Sequence, residues 1–234
     1  MFSITSIPKI MRRQGWYNGA SLMEIWFSRG SAIKPAYGPP DTLIIRMSWA
    51  LTFSRAKDVF DQLMRERIWA NEPAKIEIRN RLQSKGLLTS DPVSRAFGSL
   101  TAPVPTLEAE YVNNRPVGGL LDPLDGMLAA LGMFDFRVVV AGGVAPVPAS
   151  LKFHVTITHV GVYIVDSYDF EGFQPLGTWD DKTNGASKNP GASGTTVSNA
   201  DFREFRDKTG MGGDFLVFSD LLVTRLTSPD EFDL

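Results

Sequence analysis

The run from Phe153 to Val165 constrains this chain more than any other stretch. It reads FHVTITHVGVYIV, dominated by β-branched and aromatic residues and free of proline. Branching at Cβ costs rotamer freedom in a helix and packs well on a pleated surface, so the segment is predicted to be a strand. Side chains alternate across a strand. Phe153, Val155, Ile157, His159, Gly161, Tyr163 and Val165 therefore share one face. His154, Thr156, Thr158, Val160, Val162, Ile164 and Asp166 share the other. Partner strands are read at Phe134–Val140, ended by Gly142-Gly143, and at Phe215–Phe218 and Leu221–Leu226 around Ser219-Asp220.

The first half has a different texture. Leu22, Ile25, Trp26 and Phe27 give Ala20–Ser28 an apolar side, and Pro35, Gly38, Pro39 and Pro40 close that segment. Ser54–Ile68 repeats apolar residues near helical spacing, with Ser54 as a cap. Asn71 is a natural cap for the next helix, Pro73 suits its first turn and Gly86 its stop. Thr42–Phe53 fits either a buried strand or an early helix. Residues 182–199, rich in Gly, Ser, Asn and Thr, are predicted to form a long mobile loop, and Asn199 to cap a short helix through Lys208. The expected class is α+β: a mainly helical region over residues 1–105, then a β-rich region over 106–234. The latter holds an antiparallel sheet, open or half barrel, with a short helix.

Composition excludes several functions. A formal net charge of -2 lacks the basic excess that gripping nucleic acid requires. No cysteine is present, so disulfides, thiolate zinc sites and cysteine nucleophiles are ruled out. No G-x-S-x-G or G-x-x-x-x-G-K-[ST] motif occurs. No stretch reaches the ~18 apolar residues of a transmembrane segment. Pro8, Lys9, Arg12 and Arg13 break any signal-like apolar run. The expectation is synthesis in the cytoplasm without a signal peptide.

Asp166-Ser167-Tyr168-Asp169-Phe170 follows the best strand. Polar groups at a strand's end can project into a cleft while the sheet holds their base. Asp166 and Asp169 have oxygen ligands suited to Mg²⁺, or can divide acid and base roles if their pKa values are pushed apart. Alternatively, Asp and Ser simply favour a turn, with Tyr-Asp-Phe anchoring it. The two histidines, His154 and His159, are five apart and point to opposite faces of a regular strand.

Two resemblances follow from particular segments. Ser6–Trp16, Glu66–Asn71, Asn114–Gly118, Asp166–Phe170, Leu176–Asp180 and Gly213–Asp220 resemble an uncharacterised proteobacterial family often found near type VI secretion genes. Residues 130–228, with Asp166, Tyr168, Asp169 and Phe170 in the pattern Asp-x-Tyr-Asp-Phe, resemble the catalytic domain of colicin M-type bacteriocins. Those enzymes cut lipid II between undecaprenol and pyrophosphate. The bacteriocin motif continues, after five intervening residues, into a His-Arg pair; Pro175 and Leu176 stand there in this chain. By this resemblance Asp166, Tyr168 and Asp169 are catalytic; with the His-Arg pair absent, His154 or His159 fills the imidazole's place from the preceding strand, where His154 shares a face with Asp166, or the domain keeps the fold and has lost that chemistry. Asp166 and Asp169 hold Mg²⁺, and Arg203, Arg206 or Lys208 bind the pyrophosphate.

Two functions are thereby expected. One is a toxin-like phosphodiesterase acting on a lipid-linked peptidoglycan precursor and delivered to a target cell's periplasm. The other is a non-enzymatic secretion accessory (adaptor, chaperone or immunity protein) whose partner is a secretion spike, an effector or a cognate immunity protein. The accessory needs only a binding surface. Trp16, Tyr17, Trp26, Phe27, Trp69 and Trp179 are its candidate anchors, with Trp179-Asp180-Asp181 the best placed for exposure.

Overall fold

The computed structural model describes residues 2–31, 38–119, 122–189 and 191–234; Pro35, one of the predicted segment closers, lies outside them. Helices lead: α1 (Ile7–Arg13), α2 (Tyr17–Ser28), α3 (Met47–Ala50), α4 (Ser54–Glu66) and α5 (Glu72–Ser84). Then come β1 (Arg95–Phe97), α6 (Val104–Leu107), β2 (Asn113–Val117) and α7 (Gly126–Leu131). The remainder is β3 (Phe134–Pro146), β4 (Phe153–Tyr168), β5 (Pro175–Asp180), β6 (Gly185–Ser187), β7 (Thr195–Ser198), α8 (Asn199–Thr209), β8 (Phe215–Phe218) and β9 (Leu222–Asp233). The class is α+β, with helices first and antiparallel strands after.

The chain folds into two compact units, each drawn from both sides of residue 105. The first comprises Met1–Arg46, Val117–Phe134 and Val165–Phe218; the second comprises Met47–Pro116, Asp135–Ile164 and Ser219–Leu234. Among the described residues, no helix is long and apolar enough to cross a membrane.

In the second unit, β3 pairs with β1 and β4, and β4 pairs with β9. Its core holds Leu63, Trp69, Phe136, Val155, Ile157 and Tyr163. The Asn71 side chain accepts from the Ala74 amide at 3.0 Å, Pro73 sits in the first turn of α5, and Ile78 and Leu82 face inward. Ser54 is the first residue of α4 rather than its cap; Phe53 occupies that place. Of the two options for Thr42–Phe53, the helical one is realised, as α3. The glycine pair does not end β3, which continues to Pro146. A Cβ on Gly142 would lie 1.9 Å from the Thr156 carbonyl oxygen, so the glycine permits close approach of β4 instead of a turn. In β4 a register shift against β9 falls between Ile157 and His159, and from Val160 to Ile164 every residue is buried.

In the first unit, β8 pairs with the last four residues of β4, while β5 is the centre of a separate sheet ordered β6-β5-β7. Residues 182–199 therefore contain two short strands rather than one long loop; Val197 is buried, and the backbone ladder holds the polar Thr and Ser residues. Ser198, not Asn199, caps α8, through a capping box with Asp201. The signal Ser-x-x-Asp was present in the sequence, but Asn199 is the stronger-looking cap taken singly.

Candidate functional site

The first unit positions Asp166–Phe170. β4 runs through the motif's first three residues, so Asp166, Ser167 and Tyr168 pair with Val217, Leu216 and Phe215. Asp166 is half-buried. Tyr168 is buried, its ring stacked on Phe215 at 5.3 Å and edge-on to Phe170. Burial raises the Tyr168 pKa well above that of an ordinary phenol, and the Asp166 charge adds to this. The phenol is held neutral, so it is not a base at neutral pH.

Asp169 closes a local turn. Its Oδ2 accepts from the Ser167 hydroxyl at 2.6 Å and its Oδ1 from the Glu171 amide at 3.2 Å. Phe170 is buried, parallel to Phe202 at 3.8 Å and edge-on to Trp26 at 4.8 Å. Asp166 and Asp169 were the candidate Mg²⁺ ligands. Each Asp169 oxygen gives one acceptor site to the turn and keeps another. Among the described residues, no group of three or more His, Asp or Glu side chains is placed to hold a metal.

α8 ties the following loop down. Arg203 Nη1 donates to the Phe170 and Gly172 carbonyls at 2.6 and 2.7 Å. Asn199 Nδ2 donates to the Glu171 carbonyl at 2.6 Å, and its amide to the Gln174 carbonyl at 3.0 Å. At the centre of this braced loop Phe173 is 93% exposed. Arg206 is buried and ion-paired with Asp214, with Glu171 at 3.7 Å. Asp214 also accepts from the Trp26 indole at 2.8 Å. Burial raises the Asp214 pKa and the Asp169 charge adds to it, against the opposing effects of Trp26 and Arg206. Asp214 Oδ2 and Arg206 Nε are buried without a hydrogen-bond partner among the described residues.

The sequence candidates therefore divide. Asp166, Tyr168, Asp169, Arg203 and Arg206 all belong to the first unit. There Arg203 serves backbone carbonyls and Arg206 serves Asp214. Lys208 is exposed and pairs with Glu204. His154 belongs to the second unit, where Asp233 engages Nδ1 at 3.0 Å and Glu231 lies 3.8 Å from Nε2. His159 shares a 2.9 Å hydrogen bond with Thr158. Trp179, expected at the surface, is 2% exposed and edge-on to Trp16. Trp26 and Trp69 are also core, whereas Tyr17 is exposed. Sequence reasoning did not single out Phe173, Glu171 or Asp214. Asp214 stood inside the quoted Gly213–Asp220 segment, but no spacing rule links it to Trp26.

Fold and site define an α+β protein with an acidic-aromatic strand end and a helix-braced loop. The chain matches the model of the "Family of unknown function (DUF6402)" over residues 2–192 and 186–234, and it belongs to that family. No curated protein and no solved structure matches it.

Proposed function

We propose that this protein is a non-enzymatic accessory of a type VI secretion locus — an adaptor, chaperone or immunity protein — that docks a protein partner through the loop after the Asp166–Phe170 motif. The observation that carries the reading is Phe173, fully presented on a loop whose neighbouring carbonyls are held by Arg203 and Asn199. Covering an exposed aromatic on binding removes apolar surface from water, and a pre-ordered loop loses little entropy when it docks. The motif's own side chains support the same conclusion. Asp169 satisfies turn donors, and Tyr168 and Phe170 are packed among aromatic rings. The link to a secretion locus rests on the resemblance of the whole chain.

The test has two arms. Co-purified in turn with each product encoded beside it, the wild type is expected to form a stable complex. Phe173→Ala should weaken that complex about 30-fold, the effect of losing an aromatic anchor worth ~2 kcal/mol. Expressed in the periplasm of a susceptible bacterium, neither wild type nor Asp169→Ala should lyse the cells, and purified protein with Mg²⁺ should leave lipid II intact. Lysis by wild type that Asp169→Ala abolishes would overturn the reading.

That outcome would favour the second reading, a colicin M-like hydrolase of a lipid-pyrophosphate bond. Its support is the acidic cluster around the motif: burial pushes the Asp214 pKa up, and the Asp169 charge lies close enough to add to that. Paired carboxylates can divide acid and base roles.

A further inference from the structure

The second unit contains a cavity of about 220 Å³. Its walls are Ile78 and Leu82 of α5, Leu107 of α6, and Val139 and Val140 of β3, with Phe97 and Leu100 at the mouth. Native interiors hold few voids larger than a water molecule. An apolar cavity of about 150 Å³ accommodates benzene, and drug-sized ligands need about 300 Å³ or more. We propose that this cavity is a binding site for a small neutral hydrophobic molecule, somewhat larger than benzene and carrying at most one polar group.

The cavity is held open by contacts that do not depend on a ligand. Arg81 donates to the Ala109 and Tyr111 carbonyls, and Lys85 pairs with Glu110 at 2.7 Å. These fix α5 to the segment before β2. On the other side, Gly98 seats its loop on β3 with a φ of 76°. A Cβ there would stand 2.1 Å from the Val140 carbonyl oxygen. Wall and loop are each pinned beside the gap, so neither is free to collapse into it.

The same contacts choose the ligand's charge. The cations at the rim already serve carbonyls and Glu110. Both rim cations already have an acidic partner, Glu110 for Lys85 and Glu77 for Arg81, so a carboxylate ligand would compete with these pairs, whereas a neutral one competes with neither. Ser99 and Thr106, at the exposed mouth, can meet a single hydroxyl or N–H.

Indole is a suitable probe, with octanoate as the charged contrast. Binding is followed by ligand-observed NMR and by thermal shift on the full chain. The expected result is saturable indole binding by the wild type, weakened about tenfold or more in Ala102→Trp, which fills the cavity from its half-exposed lip. Ala102→Leu fills less of it and serves if the tryptophan variant does not fold. Three results would overturn the proposal: no saturable binding of indole up to its solubility, binding that neither filling variant weakens, or preference for octanoate abolished by Lys85→Gln.

Discussion

The indole of Trp26 and the carboxylate of Asp214 meet at 2.8 Å although 188 residues separate them in the chain. The bond fixes α2 to the segment leading into β8, and Arg206 closes on the same oxygen. Trp26→Phe removes the donor and leaves a void beside Phe170 and Phe202. The expected loss is about 2–4 kcal/mol in urea unfolding, from one buried hydrogen bond to a charge plus the cavity. A loss below ~1 kcal/mol would mean that water replaces the indole at no cost.

Asp214 has a pH signature opposite in sign to that of an ordinary paired carboxylate. Burial raises its folded-state pKa above the ordinary aspartate value of 3.8. The folded protein therefore holds a proton that the unfolded chain has already released. This contribution is fully present below 3.8 and is lost as pH climbs through the raised value. Asp214→Asn cannot ionise, so its stability relative to wild type should increase as pH rises through that window. Unfolding measured across the acid range checks this; a flat difference would place the Asp214 pKa at its unfolded value.

Arg203 should matter for order more than for global stability. Its bond to the Phe170 carbonyl is part-buried and its bond to the Gly172 carbonyl is exposed. Arg203→Ala is expected to cost only about 1–2 kcal/mol. Hydrogen exchange should nonetheless accelerate at the amides of Glu171–Gln174 while the β8 amides stay protected. Partner binding should fall even with Phe173 intact, because the loop must then be ordered on association.

The parts of this fold legible in the sequence are those set by local chemistry. Asn71, Pro73 and Gly86 bracket α5 because a cap, a first-turn proline and a helix stop act within a few residues. Phe153–Val165 is legible because branching and alternation are local too. What was misread depends on neighbours. Gly142-Gly143 looks like a stop until Thr156 is seen against it. Trp179 looks exposed next to a polar stretch until β6 and β7 pair with β5 on either side of it. The Asp166–Phe170 motif was located by its residues, but the partners of Asp169, the Ser167 hydroxyl and the Glu171 amide, are set by the folded turn. The Trp26–Asp214–Arg206 cluster joins remote segments, and nothing in residue spacing announces it.

Asn71 offers a check on the local end of that scale. Its Oδ1 accepts from the Ala74 amide and from Asn113 Nδ2 at 3.1 Å. Asn71→Ala should cost about 1 kcal/mol for the cap and up to ~1 more for the freed amide, whereas Asn71→Ser should recover the cap alone. Thermal or urea unfolding of the two variants separates the contributions.

The adjacent glycines of β3 make the sharpest contrast. Alanine at Gly142 would drive its Cβ to 1.9 Å from the Thr156 carbonyl, and backbone on both strands would have to separate. Alanine at Gly143 meets only the Ser94 hydroxyl at 3.3 Å, a side chain free to rotate, and the Arg95 carbonyl at 3.9 Å. Both substitutions lower unfolded-state entropy equally, so that effect cancels in the comparison. Gly142→Ala should therefore destabilise by about 3 kcal/mol or more, and Gly143→Ala by less than ~1. Equal costs in chemical denaturation would mean that β3 and β4 are not in the close register that Gly142 permits.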